Sequence, residues 1–149
     1  MNSLYSDARF ALIQMWSNDP HLMLELFRQV KMLQQRNFDV QVFLIEDGAD
    51  MAFPNGIRRA CMDDAVAENI IQGLDVMLLS GVTVLVCGKS YKDRSLDEAY
   101  GNVLLGITPE TFYQYIEDAV QADLNLIIQG TTQQHLERLI DQRIKASMR

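Results

Sequence analysis

Cysteine is scarce in this chain: Cys61 and Cys87 are the only two among 149 residues. They form no C-x-x-C pair, and with His21 and His135 they make no zinc-type cluster, so no metal site is expected. A disulfide framework is not suggested, which fits a reducing compartment such as the cytoplasm. Long hydrophobic runs are missing as well. The longest apolar stretch surrounds Met77 to Val86 and is broken at Ser80-Gly81, too short to span a bilayer. The run Phe10 to Trp16 is interrupted by Gln14 and follows no basic segment, so it reads as a strand and not as a signal peptide. No patch of lysine and arginine interleaved with aromatics exists. The net charge of −7 repels phosphate backbones and argues against nucleic acid as a partner. Neither a G-x-G-x-x-G nor a Walker loop is present, so no nucleotide cofactor is expected. Repeats, low-complexity segments and interdomain linkers are absent too.

What is present suits one domain around one core: 149 residues, 48% of them hydrophobic. A first buried strand runs Arg9 to Trp16. Asp19 then caps a helix with Pro20 in its first turn, where the missing N–H costs nothing. Leu22, Leu26, Phe27, Val30 and Leu33 form that helix's apolar stripe. Asp39 to Ile45 is a second strand, closed by Glu46-Asp47-Gly48. Ala49 to Ile57, with Pro54, Asn55 and Gly56, reads as a loop. Helical spacing returns at Ala65, Val66, Ile70, Ile71 and Leu74; Gly73 and Asp75 suggest a kink or restart before Val76, and Gly81 suits the position just past the helix end.

Val82 to Cys87 is a short β-branched strand of the kind buried in a parallel sheet. Gly88 to Asp93 reads as a polar turn and Ser95 to Tyr100 as a short helix. Gly101 to Gly106 fits either a short strand or a loop. Thr108-Pro109 opens a helix striped with Phe112, Tyr115, Ile116, Ala119 and Val120, and Leu124 to Ile128 is a further strand. Thr131 starts a final amphipathic helix, with Gln134 at the capping-box position and Leu136, Leu139, Ile140 and Ile144 as its stripe. The expected fold is α/β: a mostly parallel twisted sheet with helices on both faces, layered like a flavodoxin or Rossmann domain. Residues 1–130 form the domain. The helix over 131–149 packs on it or on a neighbouring subunit.

In open parallel sheets, ligands gather at the carboxyl ends of the strands. Three segments qualify: Trp16 to Asp19, with Asn18 and Asp19; Asp47-Gly48; and Cys87-Gly88. If the first and third strands are neighbours, these segments line one crevice. Cys87 carries the most chemistry. It ends a hydrophobic strand and is followed by Gly88, Lys89, Ser90, Lys92 and Arg94. A thiol reacts as its thiolate, which nearby cations and helix N-termini stabilise, and Gly88 lets a partner come close to the backbone. The plain alternative is a buried structural cysteine. Arg94 either assists an anionic sulfur or pairs with Asp93 or Asp97 on a solvated face. Cys61, among helical residues, reads as a packed, inert thiol.

The segment Val84-Leu-Val-Cys87-Gly-Lys-Ser-Tyr-Lys-Asp-Arg94 resembles the cysteine strand-and-turn of the DsrE/DsrF-like family. The first strand with Asn18-Asp19-Pro20, the strand ending Phe43-Leu-Ile-Glu-Asp-Gly48, and the lead-in Leu78-Leu-Ser-Gly-Val82 are similar to that family's opening units in the same order. The resemblance covers roughly residues 8 to 128. It implies a cytoplasmic sulfur carrier in which Cys87 accepts sulfane sulfur as a persulfide and passes it on. Its partners would be donor and acceptor proteins or small persulfides, within a homo-oligomer, a trimer or hexamer. The alternative is a non-enzymatic oligomeric scaffold with the same fold. Arg94 falls where the family often has arginine. Ser90 stands where some members have a second cysteine, and Ser95 replaces the family's glycine.

Overall fold

The computed structural model describes residues 9–130. The expected final helix from Thr131 lies outside the described residues. Alternation of strand and helix gives five parallel strands: β1 (Arg9–Met15), β2 (Phe38–Leu44), β3 (Thr83–Cys87), β4 (Thr108–Glu110) and β5 (Leu124–Ile128). Their order across the sheet is β4-β3-β2-β1-β5. The chain therefore steps one way from β1 to β4, and β5 returns to the far side of β1. The first and third strands are not neighbours, because β2 lies between them, so the condition set for a shared crevice is not met.

β1 is buried on both faces: Ala11, Ile13 and Met15 meet one layer and Leu12 the other, all with no exposed surface. On the first face, α1 (Pro20–Gln35) and α3 (Asp64–Leu79) pack Met23, Leu26, Val30, Ile70, Leu74 and Met77 against the sheet. Asp19 caps α1 by accepting the His21 N–H at 2.9 Å, as Pro20 in the first turn suggested. α3 runs unbroken through Gly73, where a kink or restart was expected. A side chain there would come within 2.8 Å of the Phe27 ring, so the glycine serves the α1–α3 contact. Gly81 (φ +97°) ends the helix as expected.

The opposite face carries α5 (Phe112–Gln121), which lays Tyr115 and Ala119 on Leu12, Phe43, Ile45 and Cys87. The expectation of helices on both faces holds. Three local readings do not. Ala49 to Ile57 is helical rather than looped: a 3-10 segment (Glu46–Ala52) leads into α2 (Pro54–Ala60), which opens on Pro54. The polar turn after Cys87 is α4 (Gly88–Ser95), and the short helix expected over Ser95 to Tyr100 shrinks to a 3-10 turn (Glu98–Tyr100). Thr108-Pro109 belongs to edge strand β4, where a missing N–H is tolerated; Thr111 caps α5 instead, accepting the Gln114 N–H at 3.1 Å. Gly101 to Gly106 contains no strand.

Candidate functional site

Cys87 is at once the last residue of β3 and the N-cap of α4. The helix leaves the sheet with no linker, which places its first-turn N–H groups and the positive end of its dipole beside the thiol. No acidic residue occupies that first turn, and Cys87 makes no side-chain capping bond. The side chain joins Phe43, Ile45 and Tyr115 under α5, where the Phe43 and Tyr115 rings stack with centroids 4.3 Å apart. Cys87 is 8% exposed. Gly88 beside it is half-buried and Lys89 is exposed. A side chain at position 88 would reach 3.4 Å from the Glu110 carbonyl oxygen, so the β3–α4 junction lies close against the end of β4.

Two of the other expected site residues, Asn18 and Arg94, meet at a residue not singled out from the sequence, Asp50. Asp50 is 8% exposed and accepts three hydrogen bonds: from Asn18 Nδ2 at 2.9 Å, from the Tyr100 hydroxyl at 2.9 Å and from Arg94 Nε at 2.8 Å. Arg94 therefore pairs with Asp50 and not with Asp93 or Asp97. Its Nη1 and Nη2 donate to the carbonyls of Ser90 and Glu46 at 3.2 and 2.9 Å. Ser90 Oγ in turn accepts the Glu46 N–H at 3.2 Å. Glu46 holds φ at +54°, a left-handed conformation that these two bonds fix in place. Tyr100 is kept protonated chiefly by burial and then by its bond to Asp50. Asn18, Ser90 and Arg94 are thus brought together, with Asp19 capping the adjacent helix. Asp47 stands exposed on the 3-10 turn.

This network ties α4 to the turn after β2 and to the loop after β1. It fixes the helix whose N-terminus faces Cys87, and all three nitrogens of Arg94 are occupied in doing so. Asp50 escaped sequence reading because the stretch around it read as a loop with no partner in view.

Cys61 matches its expectation of a packed thiol. It is 8% exposed in the main core, and burial first, then the Asp63 carboxylate, raises its pKa. Two surface grooves, one between α1 and α3 lined by Phe27, Val30, Gly73 and Met77, the other at the end of β5 lined by Leu22, Gln29 and Ile128, leave Cys87 out. Among the described residues, no three His, Cys, Asp or Glu side chains stand close enough to hold a metal ion. No helix among them is long and apolar enough to cross a membrane.

The model of the DsrE/DsrF-like family matches residues 16–126, from the end of β1 into β5. The chain belongs to the DsrE/DsrF-like family. Solved structures agree on the fold. The ychN protein from E. coli superposes with a TM-score of 0.62 at 18% identity, over 81% of this chain and 99% of that one. A conserved protein of unknown function from Bacteroides thetaiotaomicron gives 0.52 at 18% identity, over 79% and 94%. No functionally curated protein matches the chain.

Proposed function

We propose that this DsrE/DsrF-like protein is a sulfur carrier that takes sulfane sulfur on Cys87 and hands it to an acceptor thiol. The observation that carries the reading is the position of Cys87: a thiol ending a central strand and capping a helix, in a chain of this family. The Cys87 thiolate attacks the terminal sulfur of a donor persulfide. A new S–S bond forms, the donor's S–S bond breaks, and the donor leaves as a thiol; no net oxidation occurs. The helix N-terminus lowers the cost of the anionic sulfur in both forms, with the exposed Lys89 adding positive charge. Arg94 acts at one remove, by holding α4 through Asp50. Donor and acceptor are cytoplasmic proteins or small persulfides.

Assembly into a homo-oligomer belongs to the same reading. α5 turns Phe112, Tyr113, Ile116 and Val120 outward, each between 46% and 80% exposed, an apolar stripe suited to a second copy.

The burial of Cys87 favours one other reading, a scaffold with the same fold and an idle thiol. Intact-mass measurement after exposure to a small persulfide donor separates the two. The carrier gains one sulfur atom, and Cys87→Ser gains none. Equal gain in both proteins, or none in either, rejects the carrier.

A further inference from the structure

Glu110 ends β4 as the register partner of Cys87, so both side chains project to the face that α5 covers. Glu110 Oε2 is buried there and has no N–H, O–H or S–H donor. The Glu110 carboxyl instead bonds the Asp118 carboxyl of α5. Asp118 is already served on both oxygens, by Gln41 Nε2 of β2 at 3.0 Å and by Gln114 Nε2 at 3.2 Å. Two carboxyl groups bond each other only through a proton. The donors around Asp118 hold it as the anion, so the proton sits on Glu110. One proton thus joins the end of β4 to α5, and the Gln41 bond carries the tie on to β2. This contact lies on the inner side of α5, away from its apolar outer stripe.

The same helix covers the thiol. Cys87 is 8% exposed beneath α5, beside Phe43 and Tyr115, yet a donor's sulfur must reach it for exchange. Just past the far end of α5, Asp123 is pinned to β1: its N–H donates to the Phe10 carbonyl at 2.8 Å and its Oδ2 accepts the Phe10 N–H at 2.7 Å. The start of α5 can therefore lift while its end stays in place. The other groups around Glu110 leave the proton in control. On β3 the neighbour is the Cys87 thiol; on α4, Lys89, Lys92 and Asp93 are exposed and Arg94 is turned to Asp50. β2 presents the neutral Gln41, with Asp39 exposed two residues before it. On α5, burial keeps the Tyr115 phenol protonated and Glu117 is exposed.

We propose that the proton shared by Glu110 and Asp118 fastens α5 as a lid over Cys87, and that its loss to solvent frees the thiol for sulfur exchange. The lid rests on the sulfur-carrier reading of Cys87 and adds its regulation. Without the proton, two anions adjoin in a buried place, and α5 shifts to separate them. Burial first, then Asp118, raises Glu110 from the ordinary value of 4.5 to about 7. Once α5 lifts, Glu110 returns to the ordinary range. The closed lid is therefore favoured in full below about pH 4.5 and loses that advantage as pH rises to about 7.

The test is hydrogen exchange of the full chain, read by mass spectrometry on the peptide covering 112–121 and corrected for the intrinsic pH dependence of amide exchange. Wild-type protection over α5 falls by up to about tenfold per pH unit between pH 4.5 and about 7, then levels off. Glu110→Gln offers Asp118 an amide N–H that no pH removes, and Asp118→Asn offers one to Glu110, so protection in either variant is flat. The ratio of Cys87 alkylation rates, wild type over Glu110→Gln, cancels the thiol's own ionisation and climbs over the same range. A flat wild-type profile, or the same slope in wild type and in either folded variant, overturns the latch. A fall in protection with an unchanged alkylation ratio overturns the lid. Wild-type protein that takes up no sulfur at any pH would instead reject the carrier reading, and exchange and alkylation would still decide whether the proton holds α5 over Cys87.

Discussion

At the scale of single residues, the site divides labour between a thiol and a buried ion pair. Cys87 owes its environment to its double role at the end of β3 and the start of α4. Arg94 and Asp50 owe theirs to each other: their side chains are only 16% and 11% exposed. Removing one partner from such a pair strands the other charge out of water, a loss of about 3–5 kcal/mol. Asp50→Ala is therefore expected to lower the unfolding free energy measured in urea by that order, and Asp50→Asn by less, since an amide oxygen still accepts from Tyr100. An Asp50→Ala protein with wild-type stability would show that Arg94 finds another partner without cost. The strand that ends at Cys87 was legible from sequence because a hydrophobic run ending in cysteine and glycine is a local signal. Asp50 was not, because it acquires its meaning from residues far along the chain, Asn18 and Arg94.

At the scale of elements, long periodic segments were readable and short polar ones were not. α1 announced itself by Asp19-Pro20 and a regular stripe; β1, β2, β3 and β5 by their apolar runs. α4 carries only one large apolar residue within Gly88–Ser95, Tyr91, so nothing in its pattern separates it from a turn. Its helicity comes from tertiary bonds, chiefly those of Arg94 and Ser90 to the segment after β2. Pro109 misled in the opposite direction, since proline suits a helix start as well as an edge strand. Backbone closeness was equally invisible. At Gly48 an added Cβ would meet the Met15 carbonyl oxygen at 1.9 Å, so the turn after β2 closes directly over the end of β1. Gly48→Ala must push backbone from backbone, with an expected loss of about 3 kcal/mol in chemical denaturation. An unchanged midpoint would mean that this turn moves freely.

At the scale of the whole molecule, the sheet order explains the placement of chemistry. Stepping from β1 to β4 puts α1 and α3 on one face, while the return to β5 sends α5 across the other. Cys87 lies beneath α5, whose outer side remains apolar. If α5 seats a second copy, Ile116→Asp with Val120→Asp yields a monomer by analytical ultracentrifugation while the wild type sediments as an oligomer. A wild-type monomer would remove α5 from the account of assembly. The family and the α/β class were both legible before any coordinates, because they rest on the order of strands and on the cysteine unit. The strand neighbours were not, since right-handed crossovers permit several orders.

The central claim is that sulfur travels on Cys87. Brief exposure of the protein to a limiting amount of persulfide donor, followed by peptide mapping, tests it most directly. The added sulfur is expected on the peptide containing Cys87 and not on that containing Cys61, whose thiol is held protonated by burial and by Asp63. Sulfur shared equally between the two peptides, or found on Cys61 alone, would contradict it.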